Sequence, residues 1–347
     1  MKAANQPLVS VVMPTLNSER TIRLSLESIR GQNYDQEKIE IILADGGSTD
    51  KTLELGKEFN CRVVPNPRVQ PECGKHEGIV HSKGEYAIFL DSDEVFNDSN
   101  AITRRVSFLE DNPKAKIVLT GGYQKPAGAN VVNDYINTFS DPFSFFMYGI
   151  SSEYPYYVPA LTKACNGKHV PGGVVLHFEK HQTIPLADIS AGNMINLSYV
   201  RETFKDRLGD VNIVPEMFTL LVSATHTAGI LEHDFIYHHC ADTLKKYVRK
   251  LAWRVIINTH FVDTVGVGFA NREAYQPLMF RLKKYLFVPY ALSFVLPLLR
   301  SLPILVQRKS WILLLHAPLS WYVAAQIVIQ QIRKVIKAPP KLKAYGK

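Results

Sequence analysis

The first 125 residues alternate between short apolar runs and segments with helical periodicity. The apolar, largely β-branched runs predict buried strands at 8–13, 39–44, 61–64, 86–90 and 115–120. Helices are predicted around Ile22, Leu26 and Ile29, which recur at helical spacing, and at 48–59, 74–82 and 100–110. Continuous apolar strands that alternate with helices indicate an α/β fold with a mostly parallel central sheet covered on both faces.

The pattern becomes looser and richer in aromatic residues between about 126 and 240. We expect an irregular lobe here that closes over the edge of the sheet. Within and after it, the periodicity predicts a helix at 213–224, a strand at 230–239 and an amphipathic helix at 243–256.

Polar residues follow three of the predicted strands directly. These segments are TLN (15–17), DGGSTD (45–50) and DSDE (91–94), and Ser48 or Thr49 is expected to cap the helix after the second strand. Ligands of parallel sheets bind beyond the carboxyl ends of the strands. The three segments are therefore expected to face one crevice.

The acidic segment at 91–94 is the strongest chemical signal in the chain. Two carboxylates one residue apart at a strand end suit a divalent cation, Mg²⁺ or Mn²⁺, which offsets their repulsion. The alternative is a solvated surface turn, since Asp and Ser favour turns. Asp45 could accept hydrogen bonds from a base or ribose, or serve an ordinary strand–helix turn. No GxGxxG or P-loop pattern is present in the sequence.

Three motifs together carry a resemblance to a known family. PTLN (14–17), ADGGSTD (44–50) and CGKHEGIVHSKGEYAIFLDSDE (73–94), in this order and spacing, resemble the inverting family 2 glycosyltransferases, whose fold is called GT-A. The match is specific over residues 8–122 and weaker beyond. The resemblance implies a nucleotide-sugar donor, usually with a uracil or guanine base, and a divalent cation that bridges its diphosphate.

The same resemblance assigns roles to individual residues. It implies that Thr15 and Asp45 hold the base and ribose, that Asp91 contacts ribose or metal, and that Asp93 binds the cation. Lys75 stands where the family often has Arg, so it would reach a phosphate as a point charge. The full set expected to contact the donor is Pro14, Thr15, Asn17, Glu19, Asp45, Gly47, Lys75, Asp91 and Ser92.

An inverting transfer also needs a carboxylate that removes the acceptor's proton. The family supplies it from an acidic pair at a helix start, whereas LGDVNIVPEMFTLL (208–221) offers Glu216 followed by Met217. Glu216 is the first candidate and Asp210 the second, and a site elsewhere in the chain is the remaining alternative. Glu216 could instead be only a first-turn acid that the helix dipole favours. Near 238, His238 or His239 is a candidate metal ligand or diphosphate contact, with His238 chosen as the ligand beside Asp91 and Asp93.

Charge is distributed unevenly along the 347 residues. No acidic residue follows Glu273, whereas 12 of the 40 Lys and Arg lie beyond it, which leaves 28 basic against 32 acidic residues before that point. The basic tail carries two hydrophobic stretches, Tyr285 to Val306 and Trp311 to Ile329. Basic residues interleaved with apolar runs favour an anionic membrane surface over nucleic acid. The stretches could lie in the interface, span the membrane or form a soluble helical domain; prolines and Arg300 favour the interface.

The remaining sequence features bear on cellular location. The four cysteines form no CxxC pair, which argues against a structural zinc site and suits a reducing compartment. The N-terminus lacks the long apolar core of a signal peptide. We therefore expect the cytoplasmic face of a membrane, reached peripherally or through the C-terminal helices.

These observations predict three regions and one activity. Residues 1–125 would bind the nucleotide-sugar, 126–260 the acceptor within the same catalytic domain, and 261–347 a membrane. The activity would be metal-dependent inverting sugar transfer to an acceptor, plausibly lipid-linked, in cell-surface glycan or polysaccharide biosynthesis. A nucleotidyltransferase of related fold and a non-catalytic membrane-bound scaffold are the alternatives. TLNSERT has no glycine, which counts against the former.

Overall fold

The computed structural model describes residues 6–179, 182–185, 187, 190–240, 243–261 and 272–341. Its strands are β1 (Val9–Thr15), β2 (Ile39–Asp45), β3 (Arg62–Pro65), β4 (Tyr86–Phe89), β5 (Glu94–Phe96), β6 (Ile117–Leu119), β7 (Tyr123–Gln124), β8 (Lys168–Val170), β9 (Gly173–His177), β10 (Met194–Asn196), β11 (Thr227–Leu231) and β12 (Ile236–His238).

The helices of the body, the described residues up to 261, are α1 (Ile22–Arg30), α2 (Thr52–Glu58), α3 (Pro71–His81), α4 (Ala101–Asp111), α5 (Val132–Phe139), α6 (Pro142–Tyr148), α7 (Tyr157–Ala164), α8 (Leu197–Thr203), α9 (Ile213–Thr225) and α10 (Leu244–His260). The tail contributes α11 (Leu278–Lys283), α12 (Phe287–Leu292), α13 (Val295–Arg308) and α14 (His316–Val335).

Within the described residues, the strands form a large and a small sheet. The large sheet has the order β3-β2-β1-β4-β10-β6-β11-β9-β8, and the small one has the order β5-β12-β7. In the large sheet only β9 and β10 run against the common direction. The predicted α/β class with a mostly parallel sheet is confirmed.

Two hydrophobic cores cover the two faces of this sheet. Successive residues of a strand point to opposite faces, so each strand contributes side chains to both cores. Val11 and Ile88 lie in one core, whereas Val12 and Phe89 lie in the other. These four side chains are completely buried. The alternation explains why the N-terminal strands read as continuous apolar runs.

The expectation of an irregular lobe at 126–240 is wrong in part, because this region supplies β8 to β11 of the large sheet. β10 pairs antiparallel with both β4 and β6, and so separates two strands of the N-terminal half. Strands of three to five residues leave little periodicity, which is why the sequence did not reveal them. The boundary predicted at residue 125 stays a prediction.

Two local predictions also differ from the structure. The strand expected at 230–239 is divided into β11 and β12, which belong to different sheets and are separated at the buried Asp234. The cap expected at Ser48 or Thr49 is absent, since α2 begins at Thr52. Ser48 instead donates its hydroxyl to Asp45 at 2.5 Å, which holds it in the preceding turn.

A third core joins the tail to the body. Tyr135 and Phe139 of α5 are buried in one cluster with Phe287 of α12 and Leu313. Phe139 also stacks on His316 with ring centroids 4.2 Å apart. The tail helices therefore pack against the second half of the body, and their outward side chains remain available for other contacts.

Candidate active site

The first part of the site is the junction of β1 and β2. Thr15 lies directly opposite Asp45 in the parallel register, and its hydroxyl donates to Asp45 Oδ1 at 2.9 Å. Asp45 also accepts the backbone N–H groups of Gly47 and Ser48 at 2.8 Å each. With the Ser48 hydroxyl, four donors hold this carboxylate. Asp45 thus fixes the strand–helix turn, whatever it contacts in a ligand.

A cleft of about 1090 Å³ lies along this edge of the sheet. Most residues that the sequence predicted for the donor or metal line it: Pro14, Thr15, Asn17, Lys75, Asp91, Ser92, Asp93 and His238. Asp45 and Gly47 line an adjoining depression of about 440 Å³, which shares Asn66 and Val69 with the cleft. These predicted side chains therefore lie on one surface, as expected for residues at the carboxyl ends of parallel strands and the segments beside them.

Three predicted residues line neither cavity. One is Glu19, whose carboxylate accepts the Lys51 N–H at 3.1 Å while its own N–H donates to Asp50. Asn17 makes a similar link, since its Oδ1 accepts the Thr49 N–H at 2.8 Å. These contacts join the loop after β1 to the loop after β2. Glu216 and Asp210, the other two, lie elsewhere and are described below.

The three acids at the end of β4 have two different environments. Glu94 is 1 % exposed and accepts the Asp91 N–H at 2.9 Å and the Tyr123 hydroxyl at 2.6 Å. Burial, together with the nearby charge of Asp91, raises the pKa of Glu94 well above its usual value. Glu94, for which the sequence suggested no role, is therefore an internal anchor of the acidic turn. All three acids line the cleft, but Asp91 and Asp93 are partly exposed there whereas Glu94 is buried.

Asp93 and His238 are brought together as the sequence analysis expected. Asp93 Oδ2 lies 3.8 Å from His238 Nε2, and His238 Nδ1 lies 3.0 Å from Asn137 Oδ1. The Asn137 contact fixes the imidazole ring, as partners of metal-binding histidines commonly do. Cys240, which the sequence analysis missed, completes a group whose ligand atoms all lie within 4.8 Å of one another.

This donor set fits a divalent transition-metal ion, because carboxylate and imidazole both suit Mn²⁺. Asp91 belongs to no such group among the described residues, so its predicted role as a ligand stays a prediction. The missed Cys240 had a faint signal in the sequence, since it follows His238 by two positions. Residues two apart in an extended segment share one face.

Lys75 lies in α3 beside the acidic turn. Its ammonium group is 3.3 Å from Glu72 Oε1 and 3.7 Å from Asp91 Oδ1, and it donates a hydrogen bond to Ser190. The side chain is almost completely buried yet lines the cleft. A positive charge is therefore fixed next to the carboxylates.

The two candidate bases lie together near the start of α9. Arg207 Nη2 lies 3.0 Å from Glu216 Oε2 and 3.0 Å from Asp210 Oδ2, and the Tyr275 hydroxyl donates to Glu216 at 3.0 Å. Burial, followed by the charge of Glu216, raises the pKa of Tyr275. Neither acid lines the cleft, although Pro215 does. Their catalytic roles stay predictions.

Comparison with known proteins gives one family match. Residues 10–151 match the family described as "Glycosyl transferase family 2". An uncharacterized glycosyltransferase of Haemophilus influenzae is 32% identical over 124 residues, which cover 34% of this chain and 47% of that protein. The poly(ribitol-phosphate) beta-glucosyltransferase of Bacillus spizizenii is 34% identical over 111 residues, 30% of this chain and 17% of that protein.

A solved structure matches over a greater length but less closely. The S. aureus TarS fragment 1–349 is 14% identical, with a TM-score of 0.45, and the match covers 97% of this chain and 93% of that one. Among the curated relatives above, the chain spans less than half of each protein's length. The resemblance inferred from PTLN, ADGGSTD and the 73–94 segment is confirmed. The chain contains a glycosyl transferase family 2 domain at residues 10–151.

Proposed function

We propose that this protein is a metal-dependent inverting glycosyltransferase that moves a sugar from a nucleotide-sugar to a lipid-linked acceptor. The observation that carries the proposal is the convergence of Thr15, Lys75 and the Asp93–His238 pair in one cleft. A relative in Methanococcus voltae, 34% identical over 89 residues, is named for transfer of a sugar onto a dolichyl phosphate-linked sugar.

The residues of the cleft would divide the work of binding the donor. Asp93 and His238 would hold the cation, which stabilises the negative charge of the departing diphosphate when bound. Lys75 would contact a phosphate oxygen, where its charge is already held by Glu72 and Asp91. Thr15 and the turn organised by Asp45 would receive the nucleoside.

The transfer itself forms one bond and breaks another. The acceptor's hydroxyl oxygen attacks the anomeric carbon, the bond from that carbon to the diphosphate oxygen breaks, and the electron pair leaves with the diphosphate. A carboxylate takes the hydroxyl proton. We propose Glu216 for this role and Asp210 as the substitute. Glu216 would have to exchange its contact with Arg207 or Tyr275 for the acceptor hydroxyl.

That same contact supports a second candidate function. The Glu216 carboxylate is paired with Arg207 and does not line the cleft, as expected if the chain bound a nucleotide-sugar without transferring it. Such a scaffold would still bind a nucleoside diphosphate. Turnover, and not binding, distinguishes the two functions.

The proposed membrane association rests on the tail. One described stretch, Trp311–Val335, is long and apolar enough to cross a membrane, and Leu278–Leu292 with Val295–Arg308 forms a second candidate bent by 90°. Large apolar side chains are exposed along it: Leu278, Met279, Tyr285, Leu286, Leu292, Val295, Leu296, Leu299, Val306, Trp311, Trp321, Ile332, Val335 and Ile336. Together with the basic residues, these side chains suit the interface of an anionic membrane.

The position of the cleft relative to the tail favours a lipid-linked acceptor. Tyr285, Val288, Val323 and Ile327 of the tail line the same cleft as Asp93. An acceptor held in a membrane would reach the cleft along these apolar side chains without leaving the lipid surface. We place this reaction at the cytoplasmic face, in the biosynthesis of a cell-surface glycan or polysaccharide.

Calorimetric titration with nucleoside diphosphates tests donor binding directly. The purified protein is titrated with UDP, GDP, ADP, CDP and dTDP, in Mn²⁺, in Mg²⁺ and in EDTA. We expect one diphosphate to bind in the presence of a cation, with affinity at least about tenfold lower in EDTA or in Asp93→Asn. Asp111→Asn, an exposed acid at the end of α4, is the control and should bind as wild type. Binding by none of the five, or unchanged binding by Asp93→Asn, would contradict the proposal.

A further inference from the structure

Cys240 lies two residues after His238 and lines the cleft, although it is only 6 % exposed. Its Sγ belongs to the group in which the ligand atoms of Asp93, His238 and Cys240 all lie within 4.8 Å of one another. The other cysteines of the chain line neither cavity described above. Of the four cysteines, Cys240 is therefore the one whose thiol lies at the cleft beside Asp93 and His238.

We propose that Cys240 Sγ is a third protein ligand of the cation at Asp93 and His238. A thiolate is a soft donor and an imidazole an intermediate one, whereas Mg²⁺ requires hard oxygen ligands. A Cys–His–Asp set therefore binds Co²⁺ and Zn²⁺ more tightly than Mn²⁺, and discriminates against Mg²⁺. This inference rests on the proposed function, since it refines the metal site on which that function depends.

The geometry is close to what one ion requires. Protein ligands lie about 2.0 to 2.3 Å from Zn²⁺, so adjacent ligand atoms in a tetrahedral site are roughly 3.3 to 3.8 Å apart. Asp93 Oδ2 and His238 Nε2 already have a separation of 3.8 Å. For Cys240, the limit of 4.8 Å means that Sγ would need to approach the other two ligand atoms by about 1.5 Å at most.

Hydrogen bonds and strand pairing hold residues 238–240 in place. His239 donates its backbone N–H to the carbonyl oxygen of Asp93 at 2.7 Å, directly between the two proposed ligands His238 and Cys240. Upstream, His238 pairs with Glu94 in the antiparallel register of β12 and β5. Asn137 orients the imidazole of His238 from the other side. Two contacts thus bring the 238–240 segment against the acidic turn, and the contact with Asn137 of α5 orients the His238 ring.

Cobalt spectroscopy tests the role of the thiol without any assay of activity. The full-length protein is titrated with Co²⁺, and the near-ultraviolet thiolate-to-cobalt charge-transfer band is recorded. We expect the band in wild type and in Cys61→Ser, the control at a partly exposed cysteine remote from the cleft. We expect Cys240→Ser to lose the band but still bind Co²⁺ through Asp93 and His238. Its preference for Co²⁺ over Mg²⁺ should fall at least about tenfold.

The outcomes separate this inference from the proposed function. Co²⁺ binding without the band in wild type, or a band that persists in Cys240→Ser, would overturn the role of Cys240 and leave the metal dependence intact. If neither Co²⁺ nor Mn²⁺ binds to wild type in the presence of a nucleoside diphosphate, both the inference and the metal-dependent function are wrong. Circular dichroism of Cys240→Ser confirms that a lost band does not reflect unfolding.

Discussion

At the scale of single residues, the acids of the DSDE segment separate into a buried anchor, Glu94, and two partly exposed residues, Asp91 and Asp93. Glu94 is held by Tyr123 and the Asp91 backbone, and these contacts aim the turn that carries Asp93. Asp93 and His238 lie together in the structure, but their roles as ligands stay predictions. The sequence offered these roles from the end of a strand and from the resemblance to the family. It could not predict the role of Glu94, because the Tyr123 partner lies on a different strand of the small sheet.

Glu216 is the residue whose predicted role most needs an experiment. Because its carboxylate accepts hydrogen bonds from Arg207 and Tyr275, Glu216→Gln should preserve the packing while removing the proton acceptor. We expect kcat to fall at least about 100-fold with little change in the KM for the donor, since general bases contribute roughly 10² to 10⁴. Steady-state kinetics with a nucleotide-sugar measures both constants.

Asp210→Asn is the matched control for that variant, because Asp210 contacts the same Arg207. It should keep most of the wild-type kcat if Glu216 is the base. A kcat lowered only in Asp210→Asn would transfer the role to Asp210. Equal and small effects of both variants would place the base elsewhere in the chain.

At the scale of elements, β1, β2, β4 and β6 were predictable because each is buried on both faces and reads as an apolar run. The short strands β5 and β7 of the small sheet were not predicted. The insertion of β10 between β4 and β6 was not, since neighbours in a sheet need not be neighbours in sequence. The division of 230–239 into β11 and β12 depends on Asp234, which is completely buried. Its partner is Arg105 of α4, which no local pattern could identify.

The Arg105–Asp234 pair gives a stability prediction. Both side chains are completely buried, and the guanidinium contacts both carboxylate oxygens at 3.0 Å. Burial raises the pKa of Asp234, while the charges of Arg105 and Arg104 oppose that rise. Arg105→Ala leaves a buried carboxylate without its main partner, so we expect the free energy of unfolding to fall by about 3 to 5 kcal/mol.

Urea denaturation of Arg105→Ala and Arg104→Ala provides the measurement and its control. Arg104 lies 3.7 Å from the same carboxylate but is partly exposed, so its removal should cost less than about 1 kcal/mol. Equal losses of stability in the two variants would show that the buried pair is not what joins α4 to the segment between β11 and β12.

At the scale of the whole molecule, the uneven charge of the sequence predicts a basic, apolar tail at residues 261–347, and this division stays a prediction. The sequence could not show that the tail packs into a third core with α5, because that core depends on contacts such as Phe139 with His316. Deleting the tail would therefore expose buried surface of the body. Substitution of outward side chains is the cleaner way to test membrane binding.

Trp311 and Trp321 are suitable outward positions, being 64% and 51% exposed. We expect the double variant Trp311→Gln, Trp321→Gln to partition into vesicles of anionic and zwitterionic lipid roughly tenfold less strongly, because each loses apolar contact with the interface. Flotation with such vesicles measures the partition. Leu53→Gln, an exposed apolar residue of α2 in the body, is the control and should bind as wild type.

Salt and lipid composition supply the complementary readout. If the basic tail faces anionic lipid, binding should weaken as ionic strength rises and in purely zwitterionic vesicles. Unchanged flotation of the double tryptophan variant would contradict the assignment of this surface to a membrane. Extraction by alkaline carbonate would distinguish helices that lie on the membrane, which should be released, from helices that span it.

The central claim, metal-dependent transfer from a nucleotide-sugar, is tested most directly by the release of nucleoside diphosphate. The full-length protein is incubated with nucleotide-sugar and a membrane lipid extract, with Mn²⁺ or with EDTA. Wild type and Asp111→Asn should release diphosphate only with the cation, and Asp93→Asn should be slower by at least about 100-fold. Release by Asp93→Asn at the wild-type rate, or equal release in EDTA, would contradict the account.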